Sequence, residues 1–421
     1  MEKYSEYKDS GVQWLGEIPS HWKMKRLASM FVGEVEINKK YRIKRAFKFN
    51  YGDLVPKNEV GDLEEYKNVY TKYSLIKKGD IIINGLNLNY DFVSQRVACT
   101  PDEGIITSAY VVCRPRKKVS YNFYTYLFKG MDSMKLFHGM GSGIRLTLSF
   151  KELKRQLLPV PPEEEQDAIV FYLDIKCSSI EILLANKKKE ITLLQEMKQR
   201  VIADAVTRGL NPNVKFKPTN ISWLPEIPEN WEMVRNKSFM KPTEEKVGKR
   251  MDLTLLSLTK QGVIVRDLTE GKGKFPKDFE SYLVVKPNNL VFCLFDIDET
   301  PRIVGLVHND GMLTGAYSNF EIDERIVLPE FAYYYYLQVD NIKGLRPYYT
   351  GLRKVVRANT FSMLRIPVPP IEEQHAIVSY ITERVAKIDS LVEKLNKEIE
   401  CIKEYKQRLI SDVVTGQIKV S

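Results

Sequence analysis

Cysteine and histidine are scarce in this chain. Its five cysteines form no C-x-x-C pair and its four histidines are dispersed, so neither a disulfide framework nor a zinc site is expected. Long hydrophobic runs are missing too, since the longest, residues 331–337, is far shorter than the roughly 20 residues of a membrane-spanning helix. The N-terminus is polar and unlike a signal peptide. These absences favour a cytoplasmic protein that does not enter a membrane.

Length and charge give the first positive indications. A chain of 421 residues is too long for one ordinary core, which predicts two or three domains. The hydrophobic content of 43% and charged content of 28% are typical of globular proteins. Lys and Arg number 64 against 54 Asp and Glu, and the resulting net charge of +10 suits a polyanionic partner.

The chain is an internal repeat. The motif WLGEIPSHW at residues 14–22 returns as WLPEIPENW at residues 223–231, and these two copies contain all four tryptophans. A longer match aligns residues 159–209 with residues 367–417 without a gap, and almost half of its positions are identical. The sequence therefore consists of two tandem copies of one unit of about 208 residues.

Each copy has two parts. From the Trp motif to a P-V-P-P string, short β-branched and aromatic runs are broken by Gly, Asn, Asp and Pro, which predicts strands in a mixed α/β globule. After the prolines, E-E-Q begins a stretch of more than forty residues without Pro or Gly, which predicts one long helix. The predicted segments are globules over residues 1–158 and 210–366 and helices over residues 159–209 and 367–421.

Apolar residues of the two helices recur at steps of four and three, the heptad pattern of a coiled coil. The seam positions of the first helix are Leu173, Cys177, Ile180, Leu184, Lys187, Ile191, Leu194, Lys198, Val201 and Ala205; those of the second are Ile381, Val385, Ile388, Val392, Leu395, Ile399, Ile402, Lys406, Leu409 and Val413. The predicted fold class is α+β: two tandem mixed α/β domains, each followed by a long α-helix, with the helices paired as an antiparallel coiled coil of pseudo-two-fold symmetry.

The excess positive charge lies in the globules, because both helical segments carry slightly more acidic than basic residues. Basic runs interleaved with tyrosine can grip phosphates and reach base edges, although a solvated Lys/Arg face is an equally good interpretation of any single run. The candidate DNA contacts are Lys40, Arg42, Arg45, Arg145, Lys272, Lys274, Arg353, Lys354 and Arg357.

No catalytic constellation is complete. There is no P-loop, and the sequence around residues 139–143 is better read as a flexible turn than as a nucleotide loop. Asp53, Glu65 and Lys67 form only a fragment of a metal-dependent nuclease pattern. The tryptophans favour core packing over ligand binding.

The ordered set of paired motifs resembles the specificity subunit of type I restriction-modification systems. The resemblance rests on W-L-G-E-I-P-x-x-W, P-x-P-P-x-x-E-Q and Q-R-x-I-x-D-x-V-T, all duplicated, and it covers the whole chain. One departure is that the first helix ends in T-R-G at residues 207–209 and the second in T-G-Q at residues 415–417, so the two helix exits need not be equivalent.

The resemblance implies two target-recognition domains, each reading one half of a split DNA site, and helices that separate them and dock two methyltransferase subunits. It also implies no catalytic residues and no cofactor on this chain, with S-adenosylmethionine on the methyltransferase subunits and ATP and Mg²⁺ on the restriction subunits that join them. Apolar residues outside the helix seam are the candidate docking positions: Ile182, Leu183, Leu193 and Leu391.

Two alternatives of other classes stay open at the level of sequence. One is a stand-alone nuclease or fused methylase built on the Asp53, Glu65 and Lys67 fragment, which Mg²⁺-dependent cleavage by the purified chain would reveal. The other is a coiled-coil scaffold without a DNA role, which salt-dependent DNA affinity would exclude.

Overall fold

The computed structural model describes residues 2–33, 35–50, 52–58, 63–143, 146–250, 252–266 and 279–420. The chain divides into two compact units: unit 1 comprises Met1–Lys188 and Asn396–Ser421, and unit 2 comprises Lys189–Leu395. Both divisions fall inside long helices, so each unit contains part of each long helix. Across the described ranges, no helix is both long enough and apolar enough to cross a membrane.

The elements of the first repeat form antiparallel strand pairs and one long helix. Their bounds are β1 Tyr7–Asp9, β2 Glu17–Pro19, β3 Lys23–Arg26, α1 Leu27–Met30, β4 Phe31–Val32, β5 Phe47–Asn50, β6 Asp53–Pro56, α2 Leu63–Tyr70, β7 Ser74–Ile76, β8 Ile81–Ile83, β9 Val97–Cys99, β10 Gly104–Ile106, β11 Val111–Pro115, α3 Tyr121–Ser133, α4 Phe150–Leu153, β12 Leu157–Val160 and α5 Glu163–Arg208. The largest sheet has the order β4-β11-β8-β9, and β8 is buried along its whole length.

The second repeat follows with the same plan. Its bounds are β13 Phe216–Ile221, β14 Leu224–Pro228, β15 Glu232–Arg235, β16 Met240–Thr243, β17 Leu256–Thr259, β18 Gly262–Val265, β19 Leu283–Val285, β20 Leu290–Phe292, β21 Val304–Leu306, β22 Gly311–Leu313, β23 Ser318–Ile322, α6 Pro329–Asn341, α7 Ala358–Met363, β24 Arg365–Val368 and α8 Ile371–Val414. The sheet β16-β23-β20-β21 corresponds to β4-β11-β8-β9.

The strand pairings correspond between the repeats throughout. The pairs β1-β2, β3-β12, β5-β6 and β7-β10 of the first repeat match β13-β14, β15-β24, β17-β18 and β19-β22 of the second. The predicted duplication and the mixed α/β character are therefore confirmed in the strand topology. The predicted segment boundaries at 158/159 and 366/367 lie inside β12 and β24, and the long helices begin a few residues later.

Each Trp motif packs against the start of the long helix of its own repeat. Trp22 is fully buried and donates its indole N–H to Glu165 at 2.7 Å; Trp231 is fully buried and donates to Glu373 at 3.0 Å. The motif reaches the helix because β3 pairs with β12, the strand that carries the prolines, and β15 pairs with β24 in the same way. The packing role predicted for the tryptophans is confirmed for these two.

The glutamine of each E-E-Q motif turns back on the preceding chain. Gln166 donates to the carbonyl of Pro161 at 2.8 Å, and Gln374 donates to Pro369 at 2.9 Å. Gln374 also accepts the backbone N–H of Leu328 at 2.8 Å. Since both side chains are buried, these hydrogen bonds fix the angle at which each helix leaves its globule.

The end of each long helix packs against the Trp motif of the other repeat, within a single unit. Gly209 ends α5 with φ +73°, and a Cβ there would lie 3.2 Å from the ring of Trp231. Gly416 follows α8 with φ +76°, and a Cβ there would lie 3.0 Å from the ring of Trp22. Only glycine combines this left-handed backbone with such a close approach. The two helix exits are therefore equivalent, contrary to the difference suggested by their sequences.

On both long helices the apolar seam is the buried face. In unit 1 the buried seam residues are Leu173, Cys177, Ile180, Leu184, Ile399, Leu409 and Val413; in unit 2 they are Ala205, Ile381, Ile388 and Leu395. The seam lysines pair with acids of the other helix: Lys187 with Glu398 at 2.7 Å and Lys406 with Glu181 at 2.5 Å in unit 1, and Lys198 with Asp389 at 2.8 Å in unit 2. These ion pairs explain why lysine is found at seam positions, because each ammonium group reaches a carboxylate of the other helix.

Glu373→Ala should lower the free energy of unfolding by about 1–3 kcal/mol, because it leaves the buried indole N–H of Trp231 without its acceptor. Urea unfolding followed by tryptophan fluorescence measures the change. Glu372→Ala is the matched control, since it removes the same charge from the same first turn at an exposed position. Equal losses in the two variants would contradict a specific role of the indole–carboxylate hydrogen bond.

Candidate nucleic-acid interface

In each unit, a loop leaving the central sheet lies beside a sharp turn. In unit 1 the loop after β8 meets the turn closed by the Ser142–Thr147 bridge, and the Leu148 N–H donates to the Gly85 carbonyl at 2.9 Å. In unit 2 the loop after β20 meets the turn closed by the Thr350–Val355 bridge. There the Val356 N–H donates to Leu294 and the Asp296 N–H to Arg353, at 2.9 and 2.8 Å. Loops held this way on a rigid sheet are common positions for binding residues.

A buried arginine fixes the loop of unit 1. The side chain of Arg96 is inaccessible to solvent, and its guanidinium donates to four backbone carbonyls, those of Asn84, Leu86, Asn87 and Asp91, at 3.0, 2.8, 3.5 and 2.6 Å. Loss of these hydrogen bonds would leave a buried guanidinium charge without acceptors, which is costly. The loop is therefore held in one conformation.

This fixed loop presents apolar and aromatic side chains to solvent. Tyr90 is 79% exposed and Val93 is 92% exposed. Phe92 stacks on His138 with ring centroids 4.6 Å apart. Sequence reasoning missed these residues; the available signal was a Tyr-Asp-Phe-Val string in an otherwise Asn-rich loop after a buried strand.

The turn of unit 2 carries two of the predicted DNA contacts, each held by an aspartate. Arg353 bonds to Asp296 at 2.5 Å and lies over the ring of Phe295, 5.3 Å from its centroid. The hydrogen bond from Arg353 lowers the pKa of Asp296 below its ordinary value. Arg353 keeps about two thirds of its side chain exposed, so it is oriented and still accessible.

Lys354 is held in the same way by Asp298. The ammonium group lies 3.1 Å from the carboxylate, and Arg346 approaches the same carboxylate at 3.3 Å. These cations lower the pKa of Asp298, while burial and the Asp298 charge raise the pKa of Tyr349 to about 12. Arg353, Lys354, Arg346 and Tyr349 therefore belong to one basic surface organised by two aspartates.

Three of the predicted contacts of unit 1 lie in the segment before β5. Lys40, Arg42 and Arg45 are exposed; Arg42 pairs with Glu36, and Arg45 pairs with Asp102 and lies over the Phe47 ring. In unit 2, Arg357 is exposed at the N-cap of α7. The remaining candidates, Arg145, Lys272 and Lys274, lie outside the described residues.

The docking candidates on the helices are all exposed. In unit 1, Ile182 and Leu183 lie on α5, where Phe171 and Ile175 add exposed apolar side chains at positions the sequence analysis did not select. Phe171, Ile175 and Ile182 share one side of the helix by their spacing, opposite the buried seam. In unit 2 the exposed set is Leu193, Met197 and Leu391. Each unit thus leaves apolar helix surface uncovered.

No metal centre is present among the described residues, which contain no group of three or more His, Cys, Asp or Glu able to hold an ion. Asp53 on β6 and Glu65 and Lys67 on α2 are exposed and belong to no such group. All five cysteines are free thiols.

Comparison with known proteins agrees with this architecture. The family model described as type I restriction modification DNA specificity domain matches residues 19–193 and 310–401, more than half of the chain. The chain is 25% identical to the MjaX type I restriction enzyme specificity subunit of Methanocaldococcus jannaschii over 96% of both proteins. It is 24% identical to the MjaVIII specificity subunit of the same organism, covering 86% of this chain and 84% of that protein.

Two solved structures have a similar fold. A chain from a type I R-M system matches with a TM-score of 0.69 and 13% identity, over 95% of this chain and 99% of that chain. The HsdS subunit of Thermoanaerobacter tengcongensis matches with a TM-score of 0.51 and 15% identity, over 95% and 98%. Identities this low establish likeness of fold, and the family follows from the sequence match. The chain belongs to the type I restriction-modification DNA specificity family.

Proposed function

We propose that this chain reads a split, asymmetric DNA site, with one half recognised by each globule, and acts only through partner subunits. The observation that carries the proposal is the duplicated architecture: the strand pairings match between repeats, while the corresponding loops differ in chemistry. The loop after β8 exposes Tyr90 and Val93, and the loop after β20 carries Asp296 and Asp298. Two similar frames with different contact loops suit two different half-sites.

The two long helices act as an antiparallel spacer. In support, ion pairs between α5 and α8 join later positions of one helix to earlier positions of the other: Glu181 to Lys406 in unit 1 and Lys198 to Asp389 in unit 2. These two pairs occupy repeat-equivalent positions with the charges exchanged between helices, as pseudo-two-fold symmetry requires. Gly209 and Gly416, each against the Trp of the other repeat, support the same direction.

The length of the spacer limits the target. α5 has 46 residues, about 70 Å at 1.5 Å per residue, or at most about 20 base pairs of DNA. Both globules must meet the same side of the duplex, which favours half-site centres about one helical turn, or 10 base pairs, apart. An unread gap of several base pairs therefore separates the half-sites.

The two half-sites differ because the contact surfaces differ. The loop of unit 1 presents Tyr90 and Val93, which suit stacking and apolar contact with bases. The corresponding loop of unit 2 carries Asp296 and Asp298 instead, which hold Arg353 and Lys354 of the adjacent turn towards guanine edges and phosphates. The site is then asymmetric.

Partners supply the chemistry. Two methyltransferase subunits dock on the exposed apolar surface of the helices, and restriction subunits join that core. S-adenosylmethionine belongs to the methyltransferase subunits, and ATP and Mg²⁺ belong to the restriction subunits. For this chain the role is recognition and positioning of those subunits on double-stranded DNA.

Leu183→Asp and Leu391→Asp should each weaken binding of a methyltransferase subunit at least tenfold, because burying an unpaired carboxylate in an apolar interface is costly. Co-purification and analytical ultracentrifugation measure assembly, while DNA binding by the variant chain reports intact globules. Ser390→Asp is the control, since it adds the same charge beside Leu391 without removing an apolar side chain. Assembly that survives both leucine variants would rule out docking on the helices.

Adding or removing four residues in both helices, near Lys188 and Asn396, should change the gap by about two base pairs, since four residues span about 6 Å. Each half-site sequence should stay the same. Sequencing the methylated motif in a host that expresses the complete system gives the gap length and the half-site sequences together. Half-site sequences that change when only the helices are altered would refute the spacer model.

Asp296→Asn should free Arg353 and tighten non-specific DNA binding, with the salt dependence growing by about one phosphate contact. The ratio of specific to non-specific affinity should fall, because Arg353 loses its orientation. Asp310→Asn makes the same charge change at an exposed position before β22. Fluorescence anisotropy across a salt series compares the variants, and identical responses would argue against Arg353 as a contact.

A further inference from the structure

The turn of unit 2 ends in an unusually exposed leucine. Leu352 is fully exposed, and no other large hydrophobic residue of the described chain is as exposed. An exposed leucine on a flexible segment would need no explanation. This one lies on a turn whose backbone is fixed on both sides.

Five backbone hydrogen bonds hold the turn, one of them from the Lys354 N–H to the Gly351 carbonyl at 3.2 Å. Thr350 and Val355 exchange two, at 2.9 and 3.1 Å, and two more join the turn to the loop after β20. Gly351 and Lys354 have φ +70° and +46°, so the chain reverses sharply on either side of the tip. The leucine side chain is therefore held in the solvent at the end of a narrow projection.

The surroundings of the tip are basic. Arg353 and Lys354 follow it directly, Arg346 lies at the same carboxylate as Lys354, and Arg357 is exposed just beyond the turn. Asp296 and Asp298 offset part of this charge, and a net positive charge remains. A surface of this kind attracts a polyanion.

The tip is too narrow for an ordinary protein interface. A stable interface buries about 800 Å² on each partner around a contiguous apolar patch. Here a single aliphatic side chain stands between Thr350–Gly351 and two cations. A lone aliphatic side chain on a basic projection matches the wedges by which DNA-binding proteins part a base step.

The first repeat keeps the same chemistry in its sequence. Gly143-Ile144-Arg145 aligns with Gly351-Leu352-Arg353, so an aliphatic residue precedes an arginine in both copies. Ile144 lies outside the described residues. Since the proposed half-sites differ, a sequence feature common to both repeats serves the shape of DNA more readily than the identity of a base.

We propose that Leu352 is a wedge that inserts between two neighbouring base pairs of the second half-site, with Arg353 and Lys354 on the flanking phosphates. The inference rests on the proposed function and adds a mode of DNA deformation. Insertion transfers the exposed side chain into the base stack, and the burial of its apolar surface offsets the cost of unstacking.

The test uses the full chain assembled with two methyltransferase subunits and a duplex containing its methylated motif. 2-Aminopurine is placed at successive positions of the second half-site, and its fluorescence reports unstacking. In the wild-type complex, 2-aminopurine fluorescence should increase at one base step of the second half-site. Leu352→Ala should abolish that signal and weaken binding about tenfold with an unchanged salt dependence. Leu352→Met should retain most of the fluorescence signal and most of the affinity.

Two further variants make the test specific. Ile342→Ala removes another exposed aliphatic side chain of unit 2 and should change neither signal nor affinity. Leu352→Lys should lose the signal as Leu352→Ala does; tighter binding by the Lys variant would place the tip along the phosphates and overturn the proposal. Unchanged affinity and fluorescence in Leu352→Ala, or a loss of methyltransferase binding instead of DNA binding, would also overturn it.

The experiment distinguishes a wrong wedge proposal from a wrong proposed function. A wild-type complex that does not discriminate its motif from random DNA contradicts the proposed function itself. A wild-type complex that discriminates, with Leu352→Ala behaving identically, contradicts only the wedge.

Discussion

Burial of one tryptophan in each repeat is the constraint on which the structure depends. Trp22 and Trp231 are fully buried, and each needs an acceptor for its indole N–H and a flat surface for its ring. The acceptor is a glutamate in the first turn of the same repeat's helix. The surface is provided at the glycine that ends the other repeat's helix. Residues of both repeats therefore pack around each tryptophan.

The arrangement of the helices follows from this constraint. α5 begins against the Trp motif of the first repeat, and the glycine after it contacts the Trp motif of the second. α8 begins against the Trp motif of the second repeat, and the glycine that follows it contacts the Trp motif of the first. Their apolar seams and seam lysines support the same arrangement, since Lys187, Lys198 and Lys406 each reach a carboxylate of the other helix. In the proposed function, helix length sets the spacing between the DNA contacts and the loops set the readout.

Sequence reasoning was effective where a pattern repeats. The repeat predicted two similar mixed α/β globules, and the local sequence pattern predicted the long helices and the apolar seam, because periodicity is a local property of the chain. It failed at Gly416, where a one-residue offset from Gly209 hid an equivalent contact that depends on the distant Trp22. It also missed Arg96 and Tyr90, because a guanidinium bonded to four carbonyls and an exposed aromatic tip both arise from loop conformation. Arg353 and Lys354 were selected by charge, but their partners Asp296 and Asp298 lie in another segment.

Cross-linking of the two helices tests the antiparallel arrangement most directly. In a chain whose native cysteines are replaced, Glu181→Cys with Lys406→Cys and Lys198→Cys with Asp389→Cys should each be joined by a short bis-maleimide within one chain. Glu181→Cys with Asp389→Cys should not react within the chain, because about 17 residues, or about 25 Å along the helix, would separate the thiols. Efficient intramolecular cross-linking of that last pair, with failure of the first two, would contradict the account.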